Sequence, residues 1–70
     1  MDETELKQLT KAARKAKRIA LEKAMELHDL VEDRLPAAYA ELPGLAEETY
    51  SACKAWAAAE AACVAAQSNL

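Results

Sequence analysis

The clearest candidate for chemistry in this sequence is its single histidine, His28, which is followed by Asp29 and, four residues on, by Glu32. On an α-helix, residues four apart lie on the same face, so the His28 imidazole and the Glu32 carboxylate can meet one ligand. Both groups bind metal ions in proteins. The pattern therefore predicts a metal site at His28 and Glu32, which a second chain or a partner has to complete. The alternative is an exposed helix pair, and no cofactor is expected.

The two cysteines are the candidate nucleophiles, with His28 as the available base. Cys53 and Cys63 lie about 15 Å apart if they share one helix, which exceeds the roughly 7 Å between Cα atoms that a disulfide allows. We expect both near the helix–helix interface around Trp56, where a cysteine behaves as a small hydrophobic residue. A helical hairpin also lacks the concave pocket that catalysis generally requires. We therefore expect no enzymatic activity.

Basic residues are concentrated near the N-terminus, although the net charge is only -3. Six of them fall in residues 7–18 with no acid among them: Lys7, Lys11, Arg14, Lys15, Lys17 and Arg18. Such a segment is either a surface for an acidic partner or a solvated helix face. No aromatic residue lies between these bases, and the pI of about 5.0 is below the range typical of nucleic-acid-binding domains. No nucleic acid partner is expected.

Helices must position these side chains, because the 70 residues include one Gly and two Pro and the many alanines favour helix. Apolar residues recur at alternating spacings of three and four, which is typical of helix bundles. The first helix is expected over about residues 3–33, with Lys23 interrupting its stripe, and the second over about 42–66. The expected core consists of Leu6, Leu9, Leu27, Leu30, Leu45 and Trp56.

The connection between the helices is predicted at Leu35-Pro36, since proline disfavours helical geometry in the residue before it. Pro43 then suits the first turn of the second helix. A short connection makes neighbouring helices antiparallel. The predicted fold class is all-α: one domain over residues 1–70, folded as a two-helix hairpin that forms half of a four-helix-bundle-like assembly.

Two further features indicate contact with other proteins. The end of the second helix is apolar on nearly all sides, which is typical of a helix buried on more than one side. On the first helix a second stripe, which the hairpin does not need for folding, contains Leu21, Met25, His28 and Glu32. The sequence has neither an apolar run of about 18 residues nor a signal-peptide segment. We therefore expect no membrane association and a cytoplasmic location.

The segment from Met25 to Tyr39 resembles a known family. It combines Leu-His-Asp-Leu, an acidic pair, Leu-Pro and a tyrosine three residues beyond the proline. These features are similar to the small Rop-like nitrogen-fixation proteins, a family of unknown function. The matching residues are Leu27, His28, Asp29, Leu30, Glu32, Asp33, Leu35, Pro36 and Tyr39.

The resemblance implies an antiparallel hairpin that tends to self-associate and has no enzymatic activity. It also implies an accessory role: docking on the nitrogenase molybdenum–iron protein in a cofactor-deficient or open state, during assembly, protection or repair. The expected partner-binding residues are Leu21, Met25, His28, Asp29, Glu32, Asp33, Leu35, Pro36 and Tyr39. The alternatives are a metal or metallocofactor carrier using His28 and the nearby carboxylates, and a purely structural homo-oligomeric bundle.

Overall fold

The computed structural model describes residues 3–68, and all regular elements in this range are helical. Helix α1 spans Glu3–Asp29 and continues into a π-helical turn over Leu30–Arg34. A 3-10 turn over Tyr39–Glu41 then leads into helix α2, Leu42–Ser68. The two long helices pack against each other along a rod of 51 × 14 × 12 Å. The predicted all-α hairpin is confirmed.

The helix boundaries differ slightly from the predicted ones. Regular α-helix ends at Asp29 rather than near residue 33, because the last turn has π geometry. Leu35 is extended, with φ -90° and ψ 150°, as the residue before a proline prefers to be, and the Leu35-Pro36 peptide bond is cis. Helix α2 continues two residues beyond the expected end, to Ser68, whose Oγ donates to the Val64 carbonyl at 3.1 Å.

The two predicted stripes face each other, yet they bury little large apolar surface. The buried residues among those described are Ala13, Ala20, Leu30, Cys63 and Ala66. Leu30 is the one large side chain in residues 3–68 that is fully buried. The other five residues of the expected core are half-buried: Leu6, Leu9, Leu27, Leu45 and Trp56. The hairpin therefore closes over a core that is thin for its length.

Lys23, which interrupts the stripe of α1, lies opposite Thr49. The Thr49 hydroxyl lies 3.2 Å from the Lys23 carbonyl oxygen and 2.8 Å from that of Leu45. It therefore donates a bifurcated hydrogen bond to both oxygens. The Lys23 ammonium lies 3.4 Å from Glu48 Oε1 and 3.8 Å from Glu26 Oε2. A polar layer thus crosses the interface at this level, and the lysine stem leads its charge out to the surface.

The two cysteines have different environments, and both are free thiols. Cys63 is buried in the interface, with its Sγ 3.5 Å from Thr10 Oγ1 and 3.9 Å from Gln67 Nε2. Cys53 is exposed, so it lies beside the interface rather than in it, one position after Ala52, which occupies the stripe. Neither helix of the described chain combines the length and hydropathy needed to cross a membrane.

Candidate protein-interaction surface

The second stripe of α1 points away from α2 and exposes apolar side chains. Leu21 is 48% exposed and Met25 is 62% exposed. Extended toward the N-terminus at the same spacings of four and three, the stripe passes through Arg18 and Arg14. We call this set the outer face of α1; its members are Arg14, Arg18, Leu21, Met25, His28 and Glu32. Along the helix the outer face is first basic, then apolar, then acidic.

Leu21 and Met25 line a shallow, open depression of about 670 Å³. All its other lining residues carry charge: Arg14, Lys17, Arg18, Glu22 and Glu26. Arg18 Nε lies 4.0 Å from Glu22 Oε1, and both side chains are about two-thirds exposed, so this pair contributes little to stability. The depression is thus an apolar contact area within a ring of solvated charges.

His28 lies between two carboxylates at the end of the outer face. Its Nδ1 is 3.7 Å from Asp29 Oδ1, and its Nε2 is 3.6 Å from Glu32 Oε1. Because the carboxylates flank opposite ring nitrogens, the three groups do not converge on one point. Within residues 3–68 no group of three or more histidine, cysteine or acidic side chains is arranged to hold a metal ion. The metal site at His28 and Glu32 therefore stays a prediction that depends on a second chain.

The connection presents the remaining predicted partner-binding residues. The Arg34 guanidinium bridges the connection to Glu41 Oε1 at 2.8 Å. Backbone bonds from Ala38 N to Arg34 O, at 2.8 Å, and from Tyr39 N to Pro36 O, at 3.1 Å, shape the turn. Tyr39 is 70% exposed at its start. All nine residues expected to bind a partner lie at the surface, between the middle of α1 and the closed end of the rod.

A model of the Rop-like family matches residues 4–68. The chain belongs to the Rop-like family. The family indicates a small helical fold suited to protein interaction, and it confirms the Rop-like part of the resemblance seen in the sequence. The link to nitrogen fixation stays a prediction. No curated protein and no solved structure matches the chain.

The two long sides of this Rop-like hairpin differ in polarity. On one side Lys17 Nζ lies 5.9 Å from the centroid of the Trp56 ring, a cation–π distance, and Glu60 and Gln67 line the same groove. On the other side small residues line a groove of about 220 Å³ together with Ile19 and Lys15: Ala12, Ala16, Ala52 and Ala55. The second groove is nearly free of polar groups.

Sequence reasoning missed several surface features of the Rop-like hairpin. Arg14 and Arg18 were assigned to the basic segment, although their spacing from Leu21 places them on the outer face. Tyr50 and Val64, 67% and 57% exposed on α2, were not recognised as surface apolar residues. Tyr50 follows the stripe member Thr49, and Val64 follows Cys63. One residue along the helix turns each side chain away from the interface, so both are exposed. The signal was present in the spacing, but only a folded hairpin shows which positions stay uncovered.

Proposed function

We propose that this Rop-like hairpin is a non-catalytic accessory protein that docks on the nitrogenase molybdenum–iron protein in the cytoplasm. The observation that carries the proposal is the exposure of Leu21 and Met25 on a face that the hairpin does not use for folding. That face leads directly into the segment 25–39, whose motif resembles nitrogenase-associated factor T. Exposed apolar patches rimmed by polar residues are typical of protein contacts.

A role without catalysis is supported by the positions of the candidate chemical groups. His28 is 64% exposed, and its neighbours are carboxylates rather than a nucleophile. Cys63 is buried, with Thr10 and Gln67 as its polar contacts. Cys53 is exposed on α2, and no contact among residues 3–68 joins it to a base. We propose that the hairpin recognises a cofactor-deficient or open state of its partner during assembly, protection or repair.

Binding of the hairpin to purified molybdenum–iron protein, with its cofactor site filled or empty, tests the proposal. We expect tighter binding to the empty form. Met25→Asp should weaken binding at least tenfold, because the charge would have to be desolvated in the contact. His28→Ala should weaken it to a smaller extent. Circular dichroism should show both variants folded, since both positions are exposed.

Val64→Asp is the matched control, because Val64 is 57% exposed on the other helix. Its affinity should stay within twofold of that of the unchanged chain. If Met25→Asp and His28→Ala both bind normally, the contact lies elsewhere on the hairpin. If the unchanged chain binds neither form of the molybdenum–iron protein, the proposed function is wrong.

A homo-oligomeric bundle is a second candidate role, and the thin core favours it. Leu30 alone among the large described side chains is fully buried, and a chain of this size rarely obtains more than about 3–5 kcal/mol from a single core. A second copy would cover surface that one hairpin leaves exposed. Self-association and docking are compatible if they occur at different times or on different faces.

A further inference from the structure

The charges of the hairpin are segregated along its long axis, and the small net charge hides this. The open end carries the six bases of residues 7–18 against Glu3, Glu5 and Glu60. The segment 22–48 at the closed end carries eight acids, Glu22, Glu26, Asp29, Glu32, Asp33, Glu41, Glu47 and Glu48, against Lys23 and Arg34. Within residues 3–68, Lys7, Lys11, Arg14 and Lys15 form no ion pair with a carboxylate. Four of the six bases therefore have no carboxylate partner among the described residues.

The outer face of α1 is self-complementary about its midpoint, at the level of Lys23. Leu21 and Met25 lie two residues before and after that level. Arg14 and Glu32 lie nine before and after it, and Arg18 and Asp29, which share one edge of the face, lie five before and six after it. When two copies of a helix pair antiparallel about this level, a residue on the midline of the face meets the midline residue equidistant on the other side. A residue on one edge meets a residue on the same edge at the matching level.

We infer that the outer face of α1 binds the outer face of a second copy of this chain, around a two-fold axis at the level of Lys23. Leu21 and Met25 of each copy would pack together at the centre. Arg14 would pair with the second copy's Glu32, and Arg18 with its Asp29. Because a two-fold axis repeats each contact, four ion pairs would enclose four apolar side chains.

The described contacts are compatible with this pairing. Glu32 lies within the π-helical turn, yet its carboxylate is 3.6 Å from His28 Nε2, so it stays on the outer face. The side chains that would meet are accessible: Leu21 and Met25 are 48% and 62% exposed, and Arg14 is exposed. Hence neither helix has to rearrange for the two faces to meet.

Charge favours a second copy over two other classes of partner. Nucleic acid and anionic membranes would both be attracted by Arg14 and Arg18 but repelled by Glu22, Glu26 and Glu32 on or beside the same face. Two large apolar residues are also too few for the wide apolar face of a membrane-surface helix. A second copy matches the basic, the apolar and the acidic part of the face together.

The pairing would cover the face that the proposed function assigns to docking. A free chain would then hide Leu21 and Met25 in a dimer, and docking would require the dimer to separate. This consequence depends on the proposed function, whereas the pairing itself does not. Because ion pairs contribute much of the contact, we expect the dimer to be weak and to dissociate as salt screens the charges.

Sedimentation equilibrium of the full chain between 10 and 200 μM, at 50 and 500 mM NaCl, tests the pairing. We expect a dimer in low salt whose dissociation constant rises at least fivefold in high salt. Arg14→Glu and Glu32→Arg should each raise the dissociation constant about a hundredfold in low salt, because the two-fold axis makes each reversal replace two ion pairs with two like-charge contacts. The double variant Arg14→Glu/Glu32→Arg should return it to within threefold of the original value.

Recovery of dimerisation in the double variant is diagnostic, because residues 14 and 32 cannot contact each other within one chain. Residues 14 and 32 lie about 27 Å apart along the helix, at 1.5 Å per residue, so they meet only across a two-fold pairing. Lys54→Glu, on the outward side of α2, controls for the net charge of Arg14→Glu. The double variant Lys54→Glu/Glu32→Arg keeps the original net charge without restoring the pair, and it should stay weak.

Three results would overturn the inference. The first is a monomer at 200 μM in low salt, provided that circular dichroism shows the chain folded. The second is a dimer that withstands both charge reversals but is lost in Ala16→Glu, which would place the second copy on the apolar groove between the helices. The third is equal recovery in both double variants. None of these depends on nitrogenase, so failure of the pairing and failure of the proposed function are separable.

Discussion

At the scale of single residues, Leu30 is the largest described side chain that the hairpin buries completely, and we expect it to be the main anchor of the core. It is the last member of the α1 stripe and the first residue of the π-helical turn. It is fully buried, whereas the other large residues of the core are only half-buried. Its burial therefore ties the end of α1 to the interface at the point where the chain leaves the helix.

Leu30→Ala should destabilise the hairpin by about 2–5 kcal/mol, the range for removing a buried leucine side chain. This loss is comparable with the whole stability expected for a domain of this size, so the variant should be largely unfolded at 25 °C. Urea unfolding followed by circular dichroism measures the change.

Leu21→Ala is the matched control, because it makes the same deletion on the same helix at a position that is 48% exposed. At 5 μM protein and 0.5 M NaCl, where self-association is suppressed, it should cost less than about 1 kcal/mol, as most surface substitutions do. Equal losses in the two variants would show that Leu30 is not the main anchor of the core.

Residue types and spacing predicted the stripes well, but not how deeply each member is buried. Trp56 is the largest residue of the α2 stripe, and it belongs to the expected core. It is half-buried, and Lys17 lies over its ring. A tryptophan side chain is wider than the space between two helices whose other interface residues include many alanines. Its depth therefore depends on the pairing of the helices, which periodicity alone does not specify.

At the scale of the helices, alternating spacings of three and four were enough to predict α1, α2 and the faces through which they pack. The π-helical turn over Leu30–Arg34 was not predicted, because five residues are too few for periodicity to distinguish one helical hydrogen-bonding pattern from another. The proline signal located the connection correctly, since Leu35 had to be extended. The same signal does not specify how the preceding turn accommodates the end of the helix.

Substitution of Lys23 tests whether the polar layer between the helices stabilises the hairpin. Lys23→Leu should stabilise the hairpin by about 1 kcal/mol, since partial burial of leucine contributes roughly that amount and the exposed pairs it removes are each worth about 0–1 kcal/mol. The gain is limited because the lysine stem already covers part of the interface. Thermal unfolding by circular dichroism at 5 μM measures it.

Lys54→Leu, on the exposed side of α2, should leave stability unchanged within about 0.5 kcal/mol, as is usual for surface positions. A loss of more than about 1 kcal/mol in Lys23→Leu would instead show that the contacts with Glu48 and Glu26 stabilise the hairpin more than exposed pairs normally do. Lys23 would then be a structural residue of the interface rather than an interruption in it.

At the scale of the whole molecule, the hairpin is a rod 51 Å long and 14 × 12 Å across. A rod of this shape has much surface for its volume, so two helices enclose few side chains completely. The sequence indicated this weakness through its many alanines and its lack of phenylalanine. The sequence did not show which surface binds another chain to compensate for the small core. That depends on which side chains the folded hairpin leaves exposed and on where its charges lie.

The thermal midpoint should consequently depend on protein concentration, because association that is restricted to the native state stabilises it by mass action. For a chain that is mostly dimeric over this range, raising the concentration from 5 to 200 μM in 50 mM NaCl should add about 1 kcal/mol per chain. In a domain of this size, that gain raises the midpoint by about 4–8 °C. Circular dichroism melts at the two concentrations, in cells of matched path length, measure the shift.

In Arg14→Glu the shift should shrink to about 1–2 °C, because the variant is mostly monomeric at both concentrations and gains little from mass action. Lys54→Glu, which has the same net charge, should keep the full shift. A midpoint that is independent of concentration in the unchanged chain would mean that one hairpin is stable alone, and that its exposed apolar residues serve only a partner of another kind. A shift that survives Arg14→Glu would mean that copies associate through the apolar groove near Ile19, where helix packing rather than ion pairing would supply the missing core.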